Sequence, residues 1–401
     1  MLLSGIRVVE VATYIAAPAS AAILSDFGAD VVKVERVPDG DPYRTLYKMG
    51  AMPVSEHNYS MILDARNKRS ICLDLGNDAG RDILLKLIAD ADVLITNYQT
   101  AVLDKLKLTY EQVRHPRLIY AHVTGYGDQG PEVERPGYDM TAYWARSGLM
   151  NAVHVAGVSP ALSVPGMGDH PTSVSLFASI MMALYRREKT GEGGRVTTSL
   201  IANGAWSNAC LIQAALVGAT GIRHRERWEN NVLANHFVSR DDHRFVLCGV
   251  QANVDWPRLC RVIRKPELEN DPRFATGDAR MENGKQLTEI CDAAFAEHDM
   301  AEWRARLREQ HLAWGPVQTV QDVAEDPQMR AAEIIVPLDD PALPGFETVA
   351  SPIRLDGESK RTPTAAPEAG QHTEEILKEL GYTDSQIGDL RKQGVACGRK
   401  A

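Results

Sequence analysis

The chain predicts an α/β protein, a Rossmann-like parallel sheet in a large domain joined to a smaller α+β domain. Three observations carry that expectation. β-rich runs alternate with helical ones over the first two hundred residues, the pattern of a parallel sheet built from crossover units. After about residue 220 the texture becomes polar and Trp-containing. A stretch marked by Pro337, Pro341, Pro344, Pro352, Pro363 and Pro367 then leads back to a last helical segment.

Taken in order, Arg7–Ala12 is the first strand, and Pro18–Asp26 follows as a helix with proline in its first turn, where a missing N–H is tolerated. Val31–Glu35, Ser70–Leu75, Val93–Asn97 and Leu118–Val123 continue the strands. Between them, Ala79–Ala91 carries apolar residues at helical spacing. Thr172–Lys189 reads as a long helix closed by Thr190-Gly-Glu-Gly-Gly194, and Arg195–Ser199 returns as a strand. Beyond residue 220, Asp241-Asp242 is a turn, Arg244–Val250 a strand, and Gly284–Glu297 and Met300–Gln310 are helical. Thr383-Asp-Ser-Gln386 has the form of a capping box.

Composition narrows the function. At 401 residues, 44% hydrophobic and 24% charged, the chain is long enough for two domains of an ordinary globular protein. Its net charge of -9 argues against a nucleic-acid partner or an anionic membrane. An anionic ligand must then be held by local cations. The six cysteines form no CxxC pair and no zinc-type spacing, so no metal site is expected and reduced thiols in a cytoplasm are. MLLSGIRVVEVA lacks the basic start and apolar core of a signal, and no apolar run approaches membrane-spanning length. The first strand is followed by TYIAAPAS rather than GxGxxG, which demotes nicotinamide chemistry.

The stretch Gly125–Gly148, GYGDQGPEVERPGYDMTAYWARSG, holds the candidate catalytic group. Asp139 follows a Pro136-Gly137 pair and precedes an apolar, aromatic run. A carboxylate in such company is capping, paired or reactive. The long glycine-rich loop before it leaves the strand Leu118–Thr124, so Asp139 is expected near the carboxyl end of a strand, where open α/β sheets bind ligands.

GYGxxGPxxxRPGYD resembles the active-site segment of the family III CoA-transferases, the CaiB/BaiF-type enzymes. The likeness spans nearly the whole chain. It includes Ala16-Ala17-Pro18, Asp26-Phe-Gly-Ala-Asp-Val-Val-Lys-Val-Glu35, Asn67-Lys-Arg-Ser-Ile71 and Thr96-Asn-Tyr98. Gly168-Asp169, Thr190-Gly-Glu-Gly-Gly-Arg-Val196, Trp314-Gly-Pro-Val317 and Gly370-Gln-His-Thr373 complete it. The resemblance implies a CoA-transferase with no permanently bound cofactor, CoA and acyl-CoA being substrates. Asp139 is its implied nucleophile, acting through aspartyl-anhydride and aspartyl-CoA thioester intermediates on an acyl-CoA and a carboxylic acid. It also implies a large domain over 1–220 completed by 350–401, a small domain over 221–335, a linker at 336–349, and an interlocked homodimer.

By the same likeness, Arg36 flanks adenine, Lys105 lies near the CoA phosphates, Asn97 and Tyr98 contact the pantetheine–phosphate arm, and Tyr126 lies beside the thiol. Asp139-Met-Thr-Ala-Tyr-Trp-Ala-Arg-Ser-Gly148 and Val164-Pro-Gly-Met-Gly-Asp-His170 look closest to transferases of (R)-2-hydroxyacids such as phenyllactate and of their enoyl-CoA products. Trp144, Tyr143 and Met140 are then an expected acyl pocket and Arg146 a carboxylate partner, with a salt-bridged Arg146 as the competing reading. The glycine run that covers the aspartate in oxalate/formate-type relatives is replaced by Trp228-Glu-Asn-Asn-Val-Leu-Ala-Asn235.

Two alternatives compete. The related α-methylacyl-CoA racemases have a His where Tyr138 stands, and tyrosine matches α-proton abstraction poorly at neutral pH. Asp169 occupies the position of their other acid/base, with a turn or helix-capping Asp as the structural reading. A non-catalytic CoA-binding homologue is the second alternative. Arg66-Asn-Lys-Arg69 offers a phosphate site, with a solvated charge run as the commoner explanation, and Arg223-His-Arg-Glu-Arg227 reads the same way; His122 and His170 read as hydrogen-bonded structural histidines. No GxSxG or Cys–His pairing argues for a hydrolase.

Overall fold

The computed structural model describes residues 1–50, 52–155, 157–220 and 225–398. They fall into two compact units, one formed by 1–152, 161–219 and 330–401, the other by 153–160 and 220–329.

The first unit is built on a sheet. Its strands are β1 (Arg7–Val11), β2 (Asp30–Arg36), β3 (Arg69–Leu73), β4 (Val93–Thr96), β5 (Ile119–Thr124) and β6 (Gly194–Ser199). They run parallel in the order 3-2-1-4-5-6. That doubly wound order reverses between β1 and β4 and opens a crevice at their carboxyl ends. Successive β1 residues face opposite ways, as a strand requires. Val8 joins a core with helices α1 (Ala16–Asp26) and α3 (Asp169–Thr190). Val9 and Val11 join another, packed by Ile83, Leu84 and Ile88 of α2 (Asp78–Ala89).

The chain's end belongs to this unit. Ile376 and Ile387, from the helices Thr373–Glu379 and Asp384–Lys392, complete the second core, and Thr383 makes its capping box with Gln386. The segment 336–349, expected as a linker, contributes to a hairpin in which Ile335–Pro337 pairs antiparallel with Glu347–Val349. Pro341 and Pro344 lie in its turn, where neither interrupts a ladder.

The second unit packs helices on a three-stranded antiparallel sheet of His236–Val238, Arg244–Leu247 and Trp314–Pro316. Its core is aromatic: Phe237, Phe245, Phe295 and Trp303 meet at ring distances of 4.7–6.1 Å. Arg223 and His224 lie outside the described residues.

Candidate active site

Two glycines bring Asp139 back to the sheet. The chain leaves β5 at Thr124 and makes its long loop, and Gly125 and Gly137 then meet at its base. A Cβ on either would lie 2.8 Å from the other's Cα, so no other residue closes the loop there. Tyr126 packs its ring against Gly137, and the Arg135 guanidinium lies 5.1 Å from that ring's centre. Asp139 then opens a π-helical turn, Asp139–Ala145, a wide form frequent at functional sites.

One Asp139 carboxylate oxygen accepts the Met140 N–H at 2.7 Å; the other faces the Gly168 N–H at 3.4 Å. Gly168 reaches that place because the Tyr143 ring occupies its Cβ position, with Cγ only 2.4 Å from where a Cβ would be. Next along the chain, Asp169 begins α3. Burial, and then the Asp139 charge, push its carboxyl up to about 7. The expected capping role does not hold, since Gly168 occupies the cap position. Among the described residues the Asp169 carboxyl has no hydrogen-bond partner.

A second feature lies at the carboxyl ends of β2, β3 and β4. A cavity of about 190 Å³ is lined there by Val34, Arg36, Leu73, Asp74, Tyr98 and Leu106, among others. Lys105 is exposed beside Leu106 on the helix Thr100–Leu106. Asn97 turns away from this cavity toward Thr13. Tyr126 stays with the Asp139 loop.

The model for CoA-transferase family III matches residues 3–373. The chain belongs to this family. It is 32% identical over 398 residues to the (R)-2-hydroxy-4-methylpentanoate CoA-transferase of Clostridioides difficile, covering 98% of this chain and 99% of that protein. It is 32% identical over 402 residues to the cinnamoyl-CoA:phenyllactate CoA-transferase of Clostridium sporogenes, covering 98% and 96%. A solved CaiB/BaiF family protein from Brucella suis superposes with a TM-score of 0.81 at 30% identity, covering 94% of this chain and 99% of that one.

The first unit of this family III enzyme also holds a buried ladder of charge. Glu10 on β1 holds Lys33 and Lys68 at 2.7 Å each, and Lys33 holds Asp41 at 2.7 Å. Burial alone would raise the Glu10 carboxyl, but the two ammonium groups outweigh it and lower it. Lys68 also donates to the Asp64 carbonyl at 2.6 Å. The Asp64 carboxylate accepts from the Tyr43 hydroxyl at 2.8 Å and contacts His170 Nε2 at 3.1 Å. Burial opposes the His170 imidazolium, and its bond to Asp64 outweighs that and raises it. His122 is buried against the Tyr98 carbonyl at 2.9 Å, and burial lowers it.

Several expectations change here. Arg66 pairs with Asp26 in a bidentate contact, its Nε and Nη2 each donating to one carboxylate oxygen, and is as buried as Lys68, so their segment is not a solvated charge run. Arg69 bridges Asp30 and Glu379 nearer the surface. Tyr143 and Trp144 are buried, with their polar atoms on Ser207 and the Ala161 carbonyl, and they leave Met140 and Tyr138 exposed. Arg146 lies 3.5 Å from Glu132, the salt-bridged reading. Trp228–Asn235 lies in the second unit. Among the described residues no cluster of His, Cys, Asp or Glu is placed to hold a metal, and no helix is long and apolar enough to cross a membrane.

Proposed function

We propose that this enzyme moves CoA from an acyl thioester to a free carboxylic acid, with Asp139 as nucleophile and a 2-hydroxyacid or an aryl or enoyl acid as the exchanged group. One observation carries the reading: Asp139 stands with a carboxylate oxygen on the Gly168 N–H, in a chain that shares its whole length with the two transferases above. Asp139 attacks the thioester carbonyl, and the C–S bond breaks to give an aspartyl–acyl anhydride and CoA thiolate. The thiolate then attacks the aspartyl carbonyl, releasing the first acid and leaving a β-aspartyl-CoA thioester. The second acid reverses the sequence. When the aspartyl carbonyl becomes tetrahedral, the Gly168 N–H faces its oxyanion.

Arg36, in the cavity at the strand ends, is proposed to flank adenine, with Tyr98 there on the pantetheine–phosphate arm, Lys105 on the neighbouring helix for phosphate and Tyr126 beside the thiol. Arg suits this place because its plane stacks on a base while carrying charge. A homodimer in the cytoplasm is part of the reading. Residues 200–221 contain no charged side chain, and Trp206, Leu216 and Val217 are exposed there, Trp206 by 82%. A second copy would bury such a face.

The test is mass spectrometry of a mixture of cinnamoyl-CoA and phenyllactate with the enzyme. Phenyllactyl-CoA and free cinnamate are expected, with ping-pong kinetics. The racemase reading draws support from one observation, an Asp169 carboxyl suited to proton transfer near neutral pH. A saturated acyl-CoA incubated in D₂O separates the two: α-deuterium without transfer would favour racemisation.

A further inference from the structure

We infer that Tyr14 is a specificity-determining residue, held against Tyr138 as the aromatic wall of the acyl site, and that Asn97 positions it rather than binding CoA. The inference rests on the transferase reading and narrows its acyl group to planar aryl or enoyl chains. Tyr14 lies in the connection between β1 and α1. Its φ is +64°, a left-handed conformation that a bulky side chain rarely adopts and that persists only where its surroundings impose it.

The constraints come from two residues, Asn97 and Asp41. The Asn97 carboxamide, at the end of β4, takes both polar backbone atoms of Thr13. Its Nδ2 donates to the Thr13 carbonyl at 2.7 Å, and its Oδ1 accepts the Thr13 N–H at 3.1 Å. The Tyr14 N–H donates to Asp41 Oδ1 at 3.2 Å. Asp41 is itself fixed by buried Lys33 and by the Tyr43 N–H. Asn97 therefore has its carboxamide engaged on protein backbone, and the buried ladder sets the conformation of this loop.

The strain seats Tyr14, half-buried, against the small core of Ile15, Tyr43 and Met61, its ring 6.5 Å from that of Tyr43. What it achieves is placement. The Tyr14 ring stands edge-to-face on Tyr138, centres 6.0 Å apart and planes at 87°, one residue before Asp139. Tyr138 is 59% exposed. Two perpendicular rings form a corner in which a flat π-system meets one face and one edge at once, both favoured aromatic geometries. A branched aliphatic chain gains neither. With Tyr143 and Trp144 buried, this corner is the aromatic surface adjoining Asp139 in the chain.

The experiment compares kcat/KM for cinnamoyl-CoA and 4-methylpentanoyl-CoA, each with phenyllactate as acceptor, and the inhibition constant of free CoA. The full-length enzyme and its Tyr14→Leu, Tyr14→Gly, Tyr14→Phe and Asn97→Ala variants are assayed. Loss of the ring is expected to cut the preference for the cinnamoyl thioester roughly three- to tenfold, and Tyr14→Phe to keep it. Tyr14→Gly suits the left-handed backbone, so it separates loss of the ring from misfolding. Asn97→Ala is expected to move the preference the same way and leave CoA inhibition unchanged. Equal losses on both thioesters in Tyr14→Gly would overturn the inference, as would weaker CoA inhibition by Asn97→Ala with the preference intact. No transfer from either thioester by the unsubstituted enzyme would instead overturn the transferase reading, and this inference with it.

Discussion

Asp139 is a short side chain whose usefulness depends on its neighbours. Gly168 brings an N–H to it, and Asp169 brings a carboxyl that its charge helps to keep protonated. Gly168→Ala would drive a Cβ into the Tyr143 ring and move that N–H. Steady-state kinetics should show kcat lower by about 10²-fold, the scale of losing one oxyanion donor. Asp169 yields a stability prediction with a definite sign. Its folded value, about 7, lies above its ordinary 3.8. The native state therefore binds more protons than the unfolded one between those values, and stability falls as pH rises through that window. Asp169→Asn removes this slope. Melts at pH 5 and pH 8 should show the variant gaining roughly 1–3 °C more at the higher pH than at the lower; equal shifts at both would contradict the assignment. The sequence marked Asp139 by its place after Pro136-Gly137. It could not mark the role of Asp169, since a carboxyl's state depends on what the fold brings beside it.

At the scale of elements, the strands and long helices were legible because their apolar spacing is local. The strand expected at Ser70–Leu75 is Arg69–Leu73, and the helix expected at Thr172–Lys189 is Asp169–Thr190. The charge ladder was not legible. Lys68 sits in a run of cations, and nothing local says that Glu10, 58 positions away, will bury it. Breaking a buried pair leaves an uncompensated charge, so Lys68→Met should cost about 3–5 kcal/mol in chemical denaturation. Loop closure at Gly125 and Gly137 makes a similar demand. Gly125→Ala should destabilise by about 1–3 kcal/mol, as overpacking does, and should lower transfer as well, because it displaces Asp139.

For the whole molecule, the texture changes near residue 220, and the second compact unit runs over 153–160 and 220–329. Its inclusion of 153–160 was not visible, because a short excursion carries no compositional signature. The return of the chain's end to the first unit came from family likeness, and Ile376 and Ile387 supply its physical reason. The uncharged, exposed face around Trp206 belongs to this scale. Light scattering should give twice the chain mass for the native protein; the single-chain mass would contradict the dimer.

Covalent acylation of Asp139 can be read by peptide mapping. The enzyme is incubated with cinnamoyl-CoA, quenched with hydroxylamine, digested and analysed by mass spectrometry, beside an Asp139→Ala control. A hydroxamate on Asp139, absent from the control, is the predicted result. An unmodified Asp139 in an enzyme that still transfers CoA would rule out Asp139 as the nucleophile.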